Sequence, residues 1–152
     1  MKQLFEYNWQ VRDEWFEWCE RLSASELSKQ RTGGVGSILF TLFHIIDVEY
    51  SWIRAIQGKK DVEFPFNDYQ TLEALKELSA SLRPELVSFL KAIDEVDMEK
   101  QVKASWQQET YKTKEIISHV IVHEIHHIGQ LSVWARELNT EPVSASLIGR
   151  GL

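Results

Sequence analysis

Cysteine, proline and long apolar runs are scarce in this sequence, and each scarcity excludes a class of protein. The single cysteine, Cys19, cannot form an internal disulfide, and no Cys-x-x-Cys pair is present for a metal or redox motif. The longest apolar stretch, Ile38 to Ile46, contains Thr41 and His44 and falls far short of the roughly 18 residues that a membrane-spanning helix needs. The N-terminus has no signal-peptide pattern, so we expect a cytoplasmic protein without a membrane partner.

Positive charge is also in short supply. Seventeen Lys and Arg stand against 23 Asp and Glu, which gives a net charge of −6, and the only basic cluster is the pair Lys59-Lys60. Binding to nucleic acid through its phosphates is therefore disfavoured. Apolar residues make up 43% of the 152 residues, which predicts a single domain spanning residues 1–152 with a core that needs no disulfide.

The few prolines and glycines divide the chain into four long segments with helical periodicity. Ser37 is expected to cap the second segment, Thr113 the fourth, and Pro84 predicts a kink or a break in the third near residues 80–83. We expect no strands, apart from an extended stretch at 99–106. Helices of this length predict an all-α four-helix bundle. The predicted helices are Gln3–Leu22, Ser37–Gln57, Thr71–Ile93 and Thr113–Leu138.

The connections at residues 58–70 and 94–112 are long and contain aromatic residues. Loops of this length are uncommon unless they cover something or carry function, so we expect them to form partial lids over one end of the bundle. The short tail at residues 140–152 is weakly apolar and is expected to pack on the bundle or to become ordered on a partner.

Four of the five histidines lie on the fourth predicted helix. A helical wheel places His123 and His127 roughly 20° to either side of the buried direction, whereas His119 and His126 lie roughly 60 to 80° away on one flank. Two imidazoles at i and i+4 suit two ligands of one metal ion, although such a pair is often only hydrogen-bonded. The remaining histidine, His44, lies near the middle of the second helix, and the wheel leaves its direction open because that helix is apolar almost all round.

The same residues satisfy a second motif. The run from His123 to His127 reads H-E-x-x-H, the zinc protease pattern in which Glu124 would act as general base. Its extended form requires Gly and His where Gln130 and Val133 stand, and the wheel turns Glu124 about 80° away from the buried direction. The protease is therefore a remote alternative.

The fourth helix resembles a known family. The run from Glu115 to Leu131 contains H-x-x-x-H-E-x-H-H-x-G-Q, a signature of the DinB-like family of metal-binding four-helix bundles, and the second helix carries a similar pattern from His44 through Asp47 to Trp52. The resemblance covers essentially the whole chain. It departs from the family at Ile128, where members often have Arg, and at Val122, where many have Asn.

The resemblance implies a divalent metal ion, zinc first and nickel second, held by His44, His123 and His127. It implies a metal-dependent enzyme of detoxification or stress response, either a thiol S-transferase that uses a low-molecular-weight thiol or a hydrolase, acting on a small-molecule substrate. The alternative is a non-catalytic metal-binding protein or structural dimer. Candidates for contacts behind the metal ligands are Asp47, Glu124, Glu49 and Gln130.

A second aromatic sector on the first helix bears on assembly. This sector lies roughly 100 to 140° around the helix from the main apolar stripe and consists of Phe5, Trp9 and Phe16. The two sectors together cover more of the helix circumference than one bundle helix usually buries. We therefore expect a homodimer, as in DinB-like relatives, with Trp9 at the contact. The alternative is that Tyr69 and Trp106 of the long loops cover these rings within one chain.

Overall fold

Five helices and a two-stranded ribbon make up the computed structural model, which describes all 152 residues. Two single-turn 3₁₀ helices, Phe66–Asp68 and Ile93–Glu95, lie in the long connections. The α-helices and strands, in chain order, are α1 (Lys2–Cys19), α2 (Ala24–Ser28), α3 (Ile38–Ile56), α4 (Leu72–Lys91), β1 (Gln101–Val102), β2 (Tyr111–Lys112) and α5 (Thr113–Glu137).

The four long helices form a bundle, which confirms the predicted fold class. Helix α1 packs against α4 and α5, and α3 packs against the same two helices from the opposite side. The core consists of two apolar clusters, and α1, α3, α4 and α5 contribute to both. No helix combines the length and the apolar character that crossing a membrane requires.

Helix ends follow the capping residues that the sequence offers. The Oγ atoms of Ser37 and Thr71 accept hydrogen bonds from backbone N–H groups in the first turns of α3 and α4, at 3.1 and 3.2 Å. Ser23 caps the short helix α2 in the same way, and this helix was not expected from the sequence. The predicted Thr113 cap is wrong, because Thr113 is already helical. The residue before the helix is Lys112, whose backbone N–H donates to Oε2 of Glu115 at 2.8 Å.

Helix α4 lacks the expected break, whereas the extended stretch at 99–106 and the C-terminal tail agree with the predictions. Helix α4 shows no break, because Pro84 is exposed while apolar side chains before and after it, Leu78 and Leu86, are buried in the core and hold both halves in line. The extended stretch at 99–106 contains strand β1, which pairs antiparallel with β2 through Gln101 opposite Lys112. The tail packs on α1, where Arg150 forms an ion pair with Glu14.

The aromatic sector of α1 is covered within the chain. Phe5, Trp9 and Phe16 are all buried in the single subunit, and the Arg83 guanidinium of α4 lies 4.7 Å from the centre of the Trp9 ring. The prediction that Trp9 lies at a dimer contact is therefore wrong. Trp106 does not cover Trp9 either, because it packs on Trp52. The homodimer itself stays a prediction and needs a different surface.

Candidate metal centre

Three histidines converge between α3 and α5. On α5, the four-residue spacing places His123 and His127 one above the other on the face that packs against α3. The middle of α3 brings His44 to the same level, which settles the direction that the helical wheel left open. His44 and His123 are half-buried and His127 is buried.

The ring nitrogens face one another. Nε2 of His123 lies 3.0 Å from Nε2 of His44 and 3.2 Å from Nε2 of His127, and the donor atoms of all three residues lie within 4.8 Å of one another. Nitrogen ligands of a tetrahedral zinc ion, each about 2.0–2.1 Å from the metal, are separated by about 3.3 Å. The three imidazoles therefore have the spacing and the donor chemistry to hold one ion.

Hydrogen bonds alone do not account for this arrangement. A neutral imidazole has one N–H group, so the Nε2 atom of His123 can direct a proton at only one of its two neighbours. Burial and the neighbouring imidazoles lower the pKa of His123 to about 3, and burial is also the main cause that lowers the pKa of His44 and His127. Neutral rings are the form that binds a metal ion, and a cation at the centre would satisfy all three lone pairs together.

Gln130 orients one of these rings. Nδ1 of His127 lies 2.8 Å from Oε1 of Gln130, so the Nδ1–H donates to the amide oxygen and the Nε2 lone pair is left facing the cluster. The Gly33–Gly36 turn leaves room for this amide, since a Cβ atom on Gly34 would come within 2.7 Å of Oε1 of Gln130. Gln130 is the predicted supporting residue that the structure places against a histidine of the cluster.

Comparison of the whole chain with protein families identifies one family. The profile of the DinB family matches residues 1–149. The chain belongs to the DinB family. It is 58% identical over 153 residues to the uncharacterized protein YizA of Bacillus subtilis (strain 168), an alignment that covers 100% of this chain and 96% of that protein.

Two solved structures share the DinB fold. A DinB-like protein of Bacillus cereus ATCC 10987 is similar with a TM-score of 0.65 and 15% identity, covering 93% of both chains. A second, the DinB-like protein YjoA of Bacillus subtilis, has a TM-score of 0.65 and 20% identity and covers 93% of this chain and 95% of that one. At these identities the likeness concerns the fold alone.

Glu124 lies outside the histidine cluster of this DinB protein, although it follows His123 directly. Its carboxylate accepts two hydrogen bonds from Arg12, at 2.8 Å from Nε and 2.6 Å from Nη2, and only 2% of its side chain is exposed. A carboxylate held in this way cannot reach a water molecule at the histidines, so the general-base role in the protease motif is excluded.

Arg12 ties three helices together in the centre of the bundle. Its Nη2 atom lies 2.8 Å from Oε2 of Glu49 on α3, and Oε1 of Glu49 accepts a hydrogen bond of 2.7 Å from Nε1 of Trp9. We call the trio Arg12, Glu49 and Glu124 the ionic cluster. Arg12 was not predicted from the sequence, although a wheel of α1 places Asn8 and Arg12 between its two apolar sectors, a position that indicates buried polar side chains.

The other predicted candidates take up different surroundings. Asp47 is half-buried one turn after His44, and burial together with the Asp61 carboxylate raises the pKa of Asp47 to about 6. His126 is exposed and contacts the amide nitrogen of Gln130, at 3.0 Å. His119 is exposed too, and its ring centre lies 5.4 Å from that of His123. Neither His119 nor His126 belongs to the group of donors that can share an ion.

Proposed function

We propose that this DinB-family protein binds one divalent metal ion, preferably zinc and otherwise nickel, through His44, His123 and His127, and that it is a metal-dependent enzyme acting on a small molecule. The observation that carries the proposal is the convergence of three Nε2 atoms at contacts of 3.0 and 3.2 Å. Three nitrogen donors are typical of catalytic zinc sites, which keep a position open for water or substrate, whereas structural zinc sites use four protein ligands.

The chemistry proposed is that of a thiol S-transferase or a hydrolase. A bound divalent ion lowers the pKa of a water molecule or a thiol at the open position and so supplies a nucleophile at neutral pH. The protein's own part is to keep the three imidazoles neutral and oriented, which Gln130 does for His127. Asp47 is our candidate for proton transfer, because it is half-buried three residues after His44 on α3 and burial raises its pKa to about 6.

The ionic cluster bears on the alternative, a metal that only joins α3 to α5. Arg12 already connects Glu49 on α3 with Glu124 on α5, both fully buried. A second connection between the same two helices is not needed to hold them together, which favours the catalytic function over the structural one. The negative surface, with its net charge of −6, gives no support to a nucleic-acid partner.

Metal content is the first test. Protein purified without chelator is expected to contain about one zinc ion per chain by elemental analysis, and little after dialysis against a strong chelator. Zinc-loaded protein is then assayed for conjugation of a small thiol to reactive electrophiles and for hydrolysis of small esters and amides. The cobalt-loaded protein provides a spectroscopic readout, because a thiol that occupies an open position changes the visible absorption. Unchanged absorption with every thiol, together with no turnover, would favour the structural alternative.

A further inference from the structure

A second feature lies one helical turn from the histidines. A cavity of about 350 Å³ opens between α3, α5 and the connection before α5. Its buried floor is Ile116, and its walls include Trp52 and Tyr111, which are half-buried, and the exposed His119. Cavities of this volume with mainly apolar and aromatic walls are typical binding sites for small molecules.

Aromatic rings dominate this cavity. The Tyr111 ring stands at 80° to Trp52 with 6.2 Å between centres, and the His119 ring stands at 77° with 6.1 Å. On the same indole, Trp106 packs at 70° and 5.2 Å. Rings set nearly perpendicular to one another present a flat guest with both ring faces and ring edges, which suits an aromatic or compact apolar group.

The charge around the cavity has one sign. Glu115 is the only lining residue that carries a full charge, and Glu109 lies close by, accepting a hydrogen bond of 3.3 Å from the Tyr111 hydroxyl. No lysine or arginine lines the cavity, and the adjacent Lys112 and Lys114 both form ion pairs with Glu99. Aromatic faces and carboxylates attract cations and repel anions.

We infer that this cavity binds the aromatic body of the substrate, and that the body is neutral or positively charged. The inference rests on the proposed function in so far as it makes the guest a substrate. His119 forms a wall of the cavity, and its ring centre lies 5.4 Å from that of His123. A molecule seated against Trp52 therefore has its reactive group within a few atoms of the histidine cluster.

The test uses three probes that share a naphthalene ring and differ in charge: naphthylmethylamine, naphthylmethanol and naphthoate. Each is titrated calorimetrically into the full-length protein, both metal-free and zinc-loaded. We expect the metal-free protein to bind the amine about tenfold more tightly than the carboxylate, with the alcohol between them. Equal affinities for all three, or tightest binding of the carboxylate, would overturn the inference.

Two variants separate shape from charge. Trp52→Ala is expected to weaken binding of the alcohol about tenfold, since it removes the ring on which the guest packs. Glu115→Gln keeps an acceptor for the helix cap and is expected to weaken only the amine, about threefold. The matched controls are Ile148→Ala, an apolar side chain that is 91% exposed, and Glu137→Gln at the other end of α5. Both controls should bind like the wild type.

Nuclear magnetic resonance locates the guest without a destabilising substitution. The indole N–H signal of Trp52, assigned with Trp52→Phe, should shift with the alcohol in wild-type protein, whereas the signals of the buried Trp15 and Trp134 should not. No shift at Trp52 contradicts the inference even if Trp52→Ala fails to fold. Metal content measured on the same samples keeps the proposals apart. Probe binding without metal binding contradicts the proposed function, and with it the guest's role as substrate, but keeps the cavity as a binding site; metal binding without probe binding contradicts only this inference.

Discussion

Two polar clusters join α3 to α5, and they differ in almost every physical property. The ionic cluster is at most 2% exposed, and each of its members has an oppositely charged partner. The histidine cluster is only partly buried, and its three Nε2 atoms face one another with no charged partner among them. Buried charges are tolerated only when paired, so the first cluster holds the fold together. The second brings three imidazole nitrogens together at one point, which is the donor set of a metal site.

The two clusters are interleaved along the same helices. His123 and Glu124 are neighbours in sequence, yet a step of 100° around α5 sends the imidazole to the open cluster and the carboxylate to Arg12. Helix α3 divides its polar residues likewise, with His44 in the open cluster and Glu49 in the ionic one. The histidines and the glutamate of the H-E-x-x-H motif therefore belong to two different clusters. A zinc protease mechanism would require all of them at one site.

The largest effect is expected from breaking the ionic cluster. Arg12→Met removes the guanidinium that forms ion pairs with both Glu49 and Glu124, which should lower the free energy of unfolding by about 3 to 5 kcal/mol. Lys2→Met, which breaks an exposed ion pair with Asp94, is the control and should change it by less than about 1 kcal/mol. Urea denaturation measures both. Equal losses in the two variants would show that the cluster does not stabilise the fold.

The histidine cluster should respond in metal affinity instead. Removing one of three ligands by His44→Ala, His123→Ala or His127→Ala is expected to weaken zinc binding about a hundredfold or more. His119→Ala and His126→Ala are the matched controls on the same helix and should change affinity only slightly. Competition with a chromophoric chelator gives the affinities. Wild-type zinc affinity in His127→Ala would rule out this ligand set.

A smaller loss of zinc affinity is expected from changing Gln130, which contacts a metal ligand and not the metal. Gln130→Ala removes the acceptor that orients His127, so zinc affinity should fall about tenfold while the fold is kept. Gln130→Glu restores an acceptor and should recover the affinity. If Gln130→Ala and Gln130→Glu weaken zinc binding equally, the amide acts by packing and not by orienting the ring.

How far the sequence predicts these clusters depends on the information each one needs. Helical phase suffices for His123 and His127 and for turning Glu124 away from them, because a wheel gives directions on one helix. A helical wheel does not predict which side chain on another helix a residue will contact. Arg12 was therefore not predicted, and the direction of His44 came only from the family resemblance. The same gap explains the error at Trp9, whose ring is covered by Arg83 from α4.

The fold was easier to predict than its details. The spacing of apolar residues predicts four long helices within a few residues of their ends, because these helices are stabilised mainly by burying an apolar stripe. Short elements bury too little to leave such a pattern, which is why α2 and β2 were not expected and β1 was expected only as an extended stretch. Pro84 breaks nothing, because tertiary packing on both sides of it outweighs the lost hydrogen bond.

The smallest effect expected is on the pH dependence of stability, and it arises from His123 in the histidine cluster. Burial lowers the pKa of His123 to about 3. Below pH 6.5 this imidazole therefore binds a proton in the unfolded chain but stays neutral in the folded, metal-free protein. Stability is therefore fully present above pH 6.5 and falls as the pH decreases. Between pH 7 and pH 5 we expect His123 to contribute about 1 kcal/mol of this loss, allowing for solvent screening at a half-buried site.

Urea denaturation of metal-free protein at pH 7 and pH 5 measures this difference. His123→Ala should show a shallower decline than the wild type, whereas the exposed His119→Ala should decline like the wild type. Zinc should steepen the wild-type dependence, since protons compete with the metal for the imidazoles and affinity is expected to fall below about pH 6. Identical declines in wild type and His123→Ala would mean that the imidazole accepts a proton freely in the folded state, and the neutral cluster proposed as the metal site would then be wrong.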